Sequence, residues 1–585
     1  MHLNRIWDQP GDEPQREKIL FDRPLTETIC LGRVTVQPGE KSPEGLHPDE
    51  EEIYVILSGR ASLRVGDESH EVGGGCVAYV PRNFVHQITC ISPEPLVYLY
   101  FANWPDTARQ KKEWKEMAKS FEMVSRKVPQ VHTKYRTIVT DIPNQPSLDI
   151  IAELRKYEPR SMSGQPLVVW DRADGINVYD RYGNKWLDFS SGVLVTNSGH
   201  GNPAVKQAIL DQVEHGLLHN YCFPSEARMK LTKKLSEIAP AGLDKVFLLT
   251  TGGEATECAI KLMRTWGQKI SGGKKKIKII TFADDFHGRT MGAQMAGGSP
   301  KGKVWIVNHD PDMHTVPFPN AFKYEWADES RADYSDDKCW SNWLAYLDEQ
   351  KIAYDDIAGF MPESFQGGWV QLMPVGFVKR LRKFCDQHGA LITFDEVQSG
   401  FGRSGKLFTY QHYGVAADLV CCGKGITSSL PLSAVIGRAD VMDVYGPNEM
   451  TSTHTGNPVC AEAALANIEY MMANDLIGNA ARLEGICRTF LKGLQKKHAD
   501  VIGCVYGVGL AWGLVFTQKG SKEIDPDLAH DIVRISVESG LMFFAPVGAG
   551  ATIKVVPPLV ITEEPLREGL QVFADAIEAA LALRK

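Results

Sequence analysis

Residues 390–426 read ALITFDEVQSGFGRSGKLFTYQHYGVAADLVCCGKGI, in which two short apolar runs, LITF and LVCC, each close on a chemically loaded turn. Apolar runs of this length bounded by glycine and charge read as buried strands. The second run delivers Lys424 between Gly423 and Gly425. A lysine is ordinarily a solvated surface charge. At the buried end of a strand, desolvation disfavours its ammonium form and lowers its pKa, while flanking glycines let backbone and ligand come close, as a lysine that bonds a carbonyl compound requires. The first run ends on Asp395, before the loop that would lie at the carboxyl edge of the sheet, where α/β proteins bind ligands. Alone it reads equally as a structural cap. Against a pyridine nitrogen, its carboxylate would keep that nitrogen protonated and make the ring an electron sink. Lysine and aspartate together suggest pyridoxal phosphate (PLP).

Outward from this stretch, strands alternate with helices: KVFLLTT, GEATECAIKLMRTWGQ, KIKIITFADD, IAGFMPES and FVKRLRKFCDQHG. That alternation predicts an α/β domain with a mainly parallel sheet covered on both faces. TTGGEATECAIKLMR places Gly252 and Gly253 at a strand-to-helix junction, where free amides hold an anion such as a phosphate. An ordinary glycine turn is the alternative. Phe286 and His287, in DDFHGRT, offer an aromatic face for the ring, or merely core packing. Two other glycine patterns carry nothing. Gly400, Gly402 and Gly405 form G-x-G-x-x-G, but KLFTYQHYG after it is not an amphipathic helix. CCGKGI lacks the Ser or Thr and the first Gly of a phosphate-binding loop.

Residues from about 150 to 580 resemble the class III aminotransferases, PLP enzymes of fold type I. The resemblance is carried by VVWDRADGINVYDRYGNKWLDFSSGVLVTNSGHGNP, TGGEATECAIK, FHGRT, FDEVQSGFGRSGK and ADLVCCGKGI. It implies that Val397 packs on the ring face opposite Phe286 and that Gln398 bonds the ring hydroxyl. THTGNP resembles the family's T-x-x-G-N-P, which implies that Thr453 reaches the phosphate of a neighbouring subunit's cofactor and that the enzyme is a homodimer. Lys424 would anchor the cofactor and move the proton in a ping-pong exchange between an amino donor and a keto acceptor. Racemisation or epimerisation on the same cofactor is the alternative chemistry. Two departures from the family concern substrate. Lys554, in IKVVPPL, stands at an arginine position, and Gly368, after Glu363 in ESFQGGW, replaces a gating carboxylate, with Ser364 for proline. Lysine keeps the charge but loses arginine's two-pronged carboxylate grip. Further substrate walls are expected around Tyr221 and Trp369.

Between Leu20 and Phe101, EEIYVILSG, ASLRVG, GCVAYVP, HQITCIS and LVYLYF are closely spaced strands with turn signals, predicting a small all-β barrel. PGEKSPEGLHPDEEEIYVILSG and GCVAYVPRNFVH resemble the two motifs of a cupin. His47, Glu52 and His86 stand at that family's ligand positions and suit a divalent metal, although Gly45 and Asn83 depart from the pattern. The fusion admits a metal-dependent catalyst or a metabolite sensor beside the aminotransferase. The expected boundaries are 1–105 for the barrel, 106–148 for a helical and polar linker with Pro129, Pro143 and Pro146, 149–215 with 445–585 for a smaller α+β domain, and 216–444 for the large PLP-binding domain.

The composition agrees. With 43% hydrophobic and 23% charged residues, the 585-residue chain can bury sizeable cores. A formal charge of −8 offers no basic field for nucleic acid or anionic membrane. Twelve scattered cysteines lack the spacing of a disulfide scaffold, and MHLNRIWDQPGDEPQREK lacks the features of a secretory signal. A cytoplasmic enzyme is expected.

Overall fold

A computed structural model of the chain describes residues 17–21, 29–46, 51–81, 84–103, 121–273 and 275–584. They fall into two compact units, one within residues 1–118 and the other within 119–585.

Among its described residues the first unit is all β. A five-stranded sheet runs in the order Glu17–Phe21, Ile29–Val36, Leu96–Asn103, Glu51–Ser58 and Val77–Val80, and a three-stranded sheet in the order Glu68–Gly73, Arg60–Val65 and His86–Cys90. Alternation fixes which side of each strand is buried. In Glu51–Ser58, Glu52, Tyr54 and Ile56 are buried, and Tyr54 and Ile56 pack with Ala61, Leu63, Ile88, Leu96 and Tyr98.

The second unit is built on a seven-stranded sheet. Its strands are β1 (Lys245–Leu249), β2 (Lys278–Phe282), β3 (Met313–Val316), β4 (Ile357–Phe360), β5 (Leu391–Asp395), β6 (Leu419–Cys422) and β7 (Ser433–Gly437), in the spatial order β1-β7-β6-β5-β4-β2-β3. Only β7 runs against its neighbours. The central strands β4, β5 and β6 are buried along their whole length, which explains why their sequences are apolar without alternation. Helices Gly252–Ile270, Asp336–Glu349 and Val375–His388 make the crossovers from β1 to β2, β3 to β4 and β4 to β5. The first presents Ala255, Ala259, Ile260, Met263 and Trp266 to the core, and Gly359 has no side chain because a Cβ there would lie 2.3 Å from Met263 Sδ. After Gly405 comes only the short 3-10 turn Thr409–Tyr413, so the G-x-G-x-x-G run opens no helix.

Both chain ends of this unit meet. Strand Lys185–Asp188 pairs in parallel with Leu541–Met542, and Ile502–Val508, Ala511–Phe516 and Thr552–Val555 form a three-stranded antiparallel sheet. The expected linker is corrected in part. Residues 106–120 lie outside the described residues, but strands Val131–His132 and Thr137–Ile138 extend the Lys185–Asp188 sheet, and Phe121, Ile138 and Ile142 are buried in its core. Among the described residues, no helix is long and apolar enough to cross a membrane.

Arg403, within the glycine-rich turn, is fully buried and ties these parts together. Its guanidinium donates to the carbonyls of Leu510 (3.2 Å) and Pro557 (2.5 Å), to Ser191 Oγ (3.2 Å) and to Asn197 Oδ1 (2.6 Å). Burial pushes its pKa down to about 9, against the pull of Asp188. Arg403→Met would leave these buried acceptors unsatisfied, and we expect chemical denaturation to show a loss of about 3–5 kcal/mol. A loss under about 1 kcal/mol would contradict this structural role.

Candidate active site

Because β1, β2, β4, β5 and β6 all point the same way, the loops after them open at one edge of the sheet. That edge gathers Gly252 and Gly253 after β1, Asp285 to His287 after β2, Glu363 after β4, Asp395 at the end of β5 and Lys424 after β6. This is where ligands bind in open α/β sheets.

Lys424 opens a 3-10 turn with a left-handed φ of 44°. Its neighbours are glycine for steric reasons: a Cβ at Gly425 would lie 2.4 Å from Asn197 Nδ2, and one at Gly423 3.0 Å from Val397 Cγ1. Burial lowers the Lys424 pKa, opposed by the carboxylates of Asp395 and Glu363. Its amine makes no hydrogen bond among the described residues.

Asp395 is 4% exposed. Its Oδ1 accepts from the Val397 amide at 3.0 Å and its Oδ2 from His287 Nδ1 at 2.8 Å. His287, which the sequence offered as an aromatic face, is fully buried with Nδ1 engaged by the Asp395 carboxylate. Its other nitrogen, Nε2, is buried without a hydrogen-bond partner, 4.0 Å from Asp285 Oδ2. Phe286 is 45% exposed and offers an open ring.

The strand-to-helix junction is held by a capping box. Glu254 N–H donates to Thr251 Oγ1 (3.4 Å), and Glu254 Oε2 accepts from the amides of Thr250 (2.8 Å) and Thr251 (3.0 Å). Burial would raise the Glu254 pKa, but these donors lower it. They do not engage the amides of Gly252 and Gly253, the first two of the helix, which remain as anion donors. Gly252 cannot carry a side chain, since its Cβ would lie 2.8 Å from Val397 Cγ1.

Glu363 is buried and accepts from the amides of Phe286 (3.1 Å) and Gly367 (2.8 Å), while its own amide donates to Asp285 Oδ2 (2.9 Å). Desolvation, with the nearby Asp395, pushes its pKa up to about 7. The Asp285 carboxyl is likewise held well above the ordinary carboxylate range, by burial and by Glu363. Sequence reading passed over Asp285; its one signal was a second aspartate before FHGRT. Lys554, on strand Thr552–Val555, is brought into the site and donates to Gln398 Oε1 at 3.0 Å. Thr453 lies exposed in the turn preceding helix Pro458–Ala473. Tyr221 is partly exposed and bonds Thr451 (3.2 Å). Trp369, in a loop expected to contribute a substrate wall, is itself 4% exposed and packs in a small core with Cys504, Val515 and Phe322.

The donor set fits PLP: amides for a phosphate, a buried carboxylate for a ring nitrogen, and an unengaged amine. Residues 160–577 match the family described as Aminotransferase class-III. The chain belongs to the class III aminotransferases. It is an enzyme of PLP-dependent transamination chemistry, of fold type I, with a cupin domain matching residues 32–101. The aminotransferase is 32% identical over 424 residues to an acetylornithine aminotransferase of Caldanaerobacter subterraneus subsp. tengcongensis, covering 72% of this chain and 98% of the relative. It is 32% identical over 423 residues to a leucine/methionine racemase of Thermococcus litoralis, covering 71% and 90%. Its fold is similar to that of a PLP-bound amine transaminase from an uncultivated Pseudomonas species, with a TM-score of 0.64 at 28% identity, covering 71% of this chain and 94% of that one.

In the cupin domain, His86 Nε2 lies 3.0 Å from Glu52 Oε2, Tyr54 donates to the same carboxylate oxygen (2.9 Å), and His86 Nδ1 donates to the Phe84 carbonyl (3.1 Å). His47 lies outside the described residues. Among the described residues no group of three His, Cys, Asp or Glu is placed to hold a metal.

Proposed function

We propose that this aminotransferase moves an amino group from an amine or amino acid to a keto acid or aldehyde, with Lys424 as both covalent anchor and proton carrier. The observation that carries the reading is the placement of Lys424 and Asp395 at the same ends of adjacent parallel strands, with the Gly252–Gly253 amides at the same edge. When bound, PLP supplies an electron-withdrawing ring that accepts the electron pair of the substrate bond being broken. Asp395, oriented by His287, would face the ring nitrogen and keep it protonated. Gly252 and Gly253 would hold the phosphate, Val397 and Phe286 would cover the two ring faces, and Gln398 would bond the ring hydroxyl. The Lys424 Nζ would take the proton from the substrate carbon and deliver it two atoms along, on the far side of the nitrogen being transferred. Desolvation favours this by lowering its pKa, so the neutral amine is present at lower pH than on a solvated lysine.

The reading includes a cytoplasmic homodimer in which Thr453 reaches the partner's phosphate, no nucleic-acid partner, a small domain from 149–215 and 445–585, and a large domain from 216–444. In the cupin unit, the 3.0 Å approach of His86 and Glu52 suits two ligands of one ion as well as an ion pair. Metal content of the full chain, compared with His86→Ala, separates the two: equal content in both would exclude a metal at this site.

The test of transamination is a half-reaction. With an amino donor alone, the cofactor band should convert once and stop, and pyruvate or 2-oxoglutarate should restore it. The resemblance to a racemase gives the second reading a specific form: sustained inversion of an amino acid without any keto acid. That outcome would replace transamination as the main reaction.

A further inference from the structure

Lys554 is 4% exposed, on a strand whose register places it opposite Gly513, so no side chain faces it across that pair. Among the described residues its side chain makes one hydrogen bond, to Gln398 Oε1 at 3.0 Å, although an ammonium has three donors. The charged groups that influence it are Glu363 and Lys424, and the Phe544 ring lies 5.9 Å away. Glu363 is already engaged by the amides of Phe286 and Gly367. Burial and Lys424 together push the Lys554 pKa down to about 7, against the pull of Glu363. A buried amine with unused donors, half charged near neutral pH, gains from an arriving anion, which favours its charged form.

The Gln398 amide lies against Gly367, where a Cβ would be 2.8 Å from Gln398 Nε2. An ammonium donating to the amide oxygen polarises the amide and strengthens the N–H donor at its other end. We propose that Lys554 is a positioning residue that, through its hydrogen bond to Gln398, couples the presence of a substrate carboxylate to the electronics of the cofactor ring. This rests on the reading that Gln398 bonds the ring hydroxyl. Without a carboxylate, the Lys554 amine holds Gln398; with one, it turns to the carboxylate and the hold on the ring weakens.

The test is the protonation midpoint of the bound cofactor's absorption band, titrated in the full-length holoenzyme over about pH 6 to 10. The Lys554 amine is charged on the acid side of its own midpoint near 7 and can donate to Gln398 on either side of it, and both effects depress the cofactor midpoint, so Lys554→Met should raise that midpoint by up to about one pH unit, and Lys554→Arg, which stays charged throughout, should return it at least to the unsubstituted value. Propionate, a non-reacting carboxylate, should raise the midpoint of the unsubstituted enzyme and leave that of Lys554→Met unmoved. In a Gln398→Ala background, the Lys554→Met shift should shrink by at least about half. An unchanged midpoint in Lys554→Met, a propionate response that persists in it, or a full-sized shift without Gln398 would each overturn the coupling. Absence of any cofactor band would instead overturn the assignment of the PLP site.

Discussion

Lys424→Ala should lower turnover by at least about 10³-fold while leaving the fold intact, because one amine serves both as covalent anchor and as the group that moves the proton. The substitution is sterically mild. Lys424 makes no hydrogen bond among the described residues, and alanine removes the buried amine whose desolvation the protein must otherwise bear. Its positive φ stays strained for alanine, so a small stability change in either direction is expected, well short of unfolding. The variant should still bind PLP through the Gly252 and Gly253 amides, but reversibly, and dialysis should strip it. Turnover within about tenfold of the unsubstituted enzyme would show that another group moves the proton.

The second large effect concerns Asp395. Asp395→Asn keeps the shape of the side chain, and its oxygen can still accept from His287 Nδ1 or from the Val397 amide, but the negative charge is lost. If the carboxylate holds a protonated ring nitrogen, kcat should fall on the order of 10²–10³-fold, as when a preorganised electrostatic partner is removed. The loss should fall on kcat more than on KM, because the charge matters most while electron density flows into the ring. A change of less than about threefold would mean that Asp395 only orients His287.

Much of this site was legible because its residues sit where apolar runs stop. Asp395 and Lys424 close strands that are buried end to end, so their sequences carry an unbroken apolar signal followed by one polar residue. The Gly252–Gly253 junction was readable for the same reason, with the Thr251–Glu254 capping box just inside it. What escaped depended on long-range partners. Arg403 looked like part of a decoy glycine motif, yet its acceptors lie more than 100 residues away at Leu510, Pro557, Ser191 and Asn197. His287 read as an aromatic, and only the parallel register of the central strands brings it to Asp395. The segment 121–148 read as a linker because its strands are two residues long, too short to show alternation, and stand among Pro129, Pro143 and Pro146. Trp369 stood in a loop beside the candidate gate, and only the contact with Phe322 and Val515 reveals it as core.

Reduction of the holoenzyme with borohydride, followed by peptide mass mapping, tests the central claim most directly. The account predicts a stable pyridoxyl adduct on the peptide containing Lys424, absent from Lys424→Ala. No adduct in the unsubstituted protein, or an adduct on Lys554 or any other lysine in its place, would contradict it.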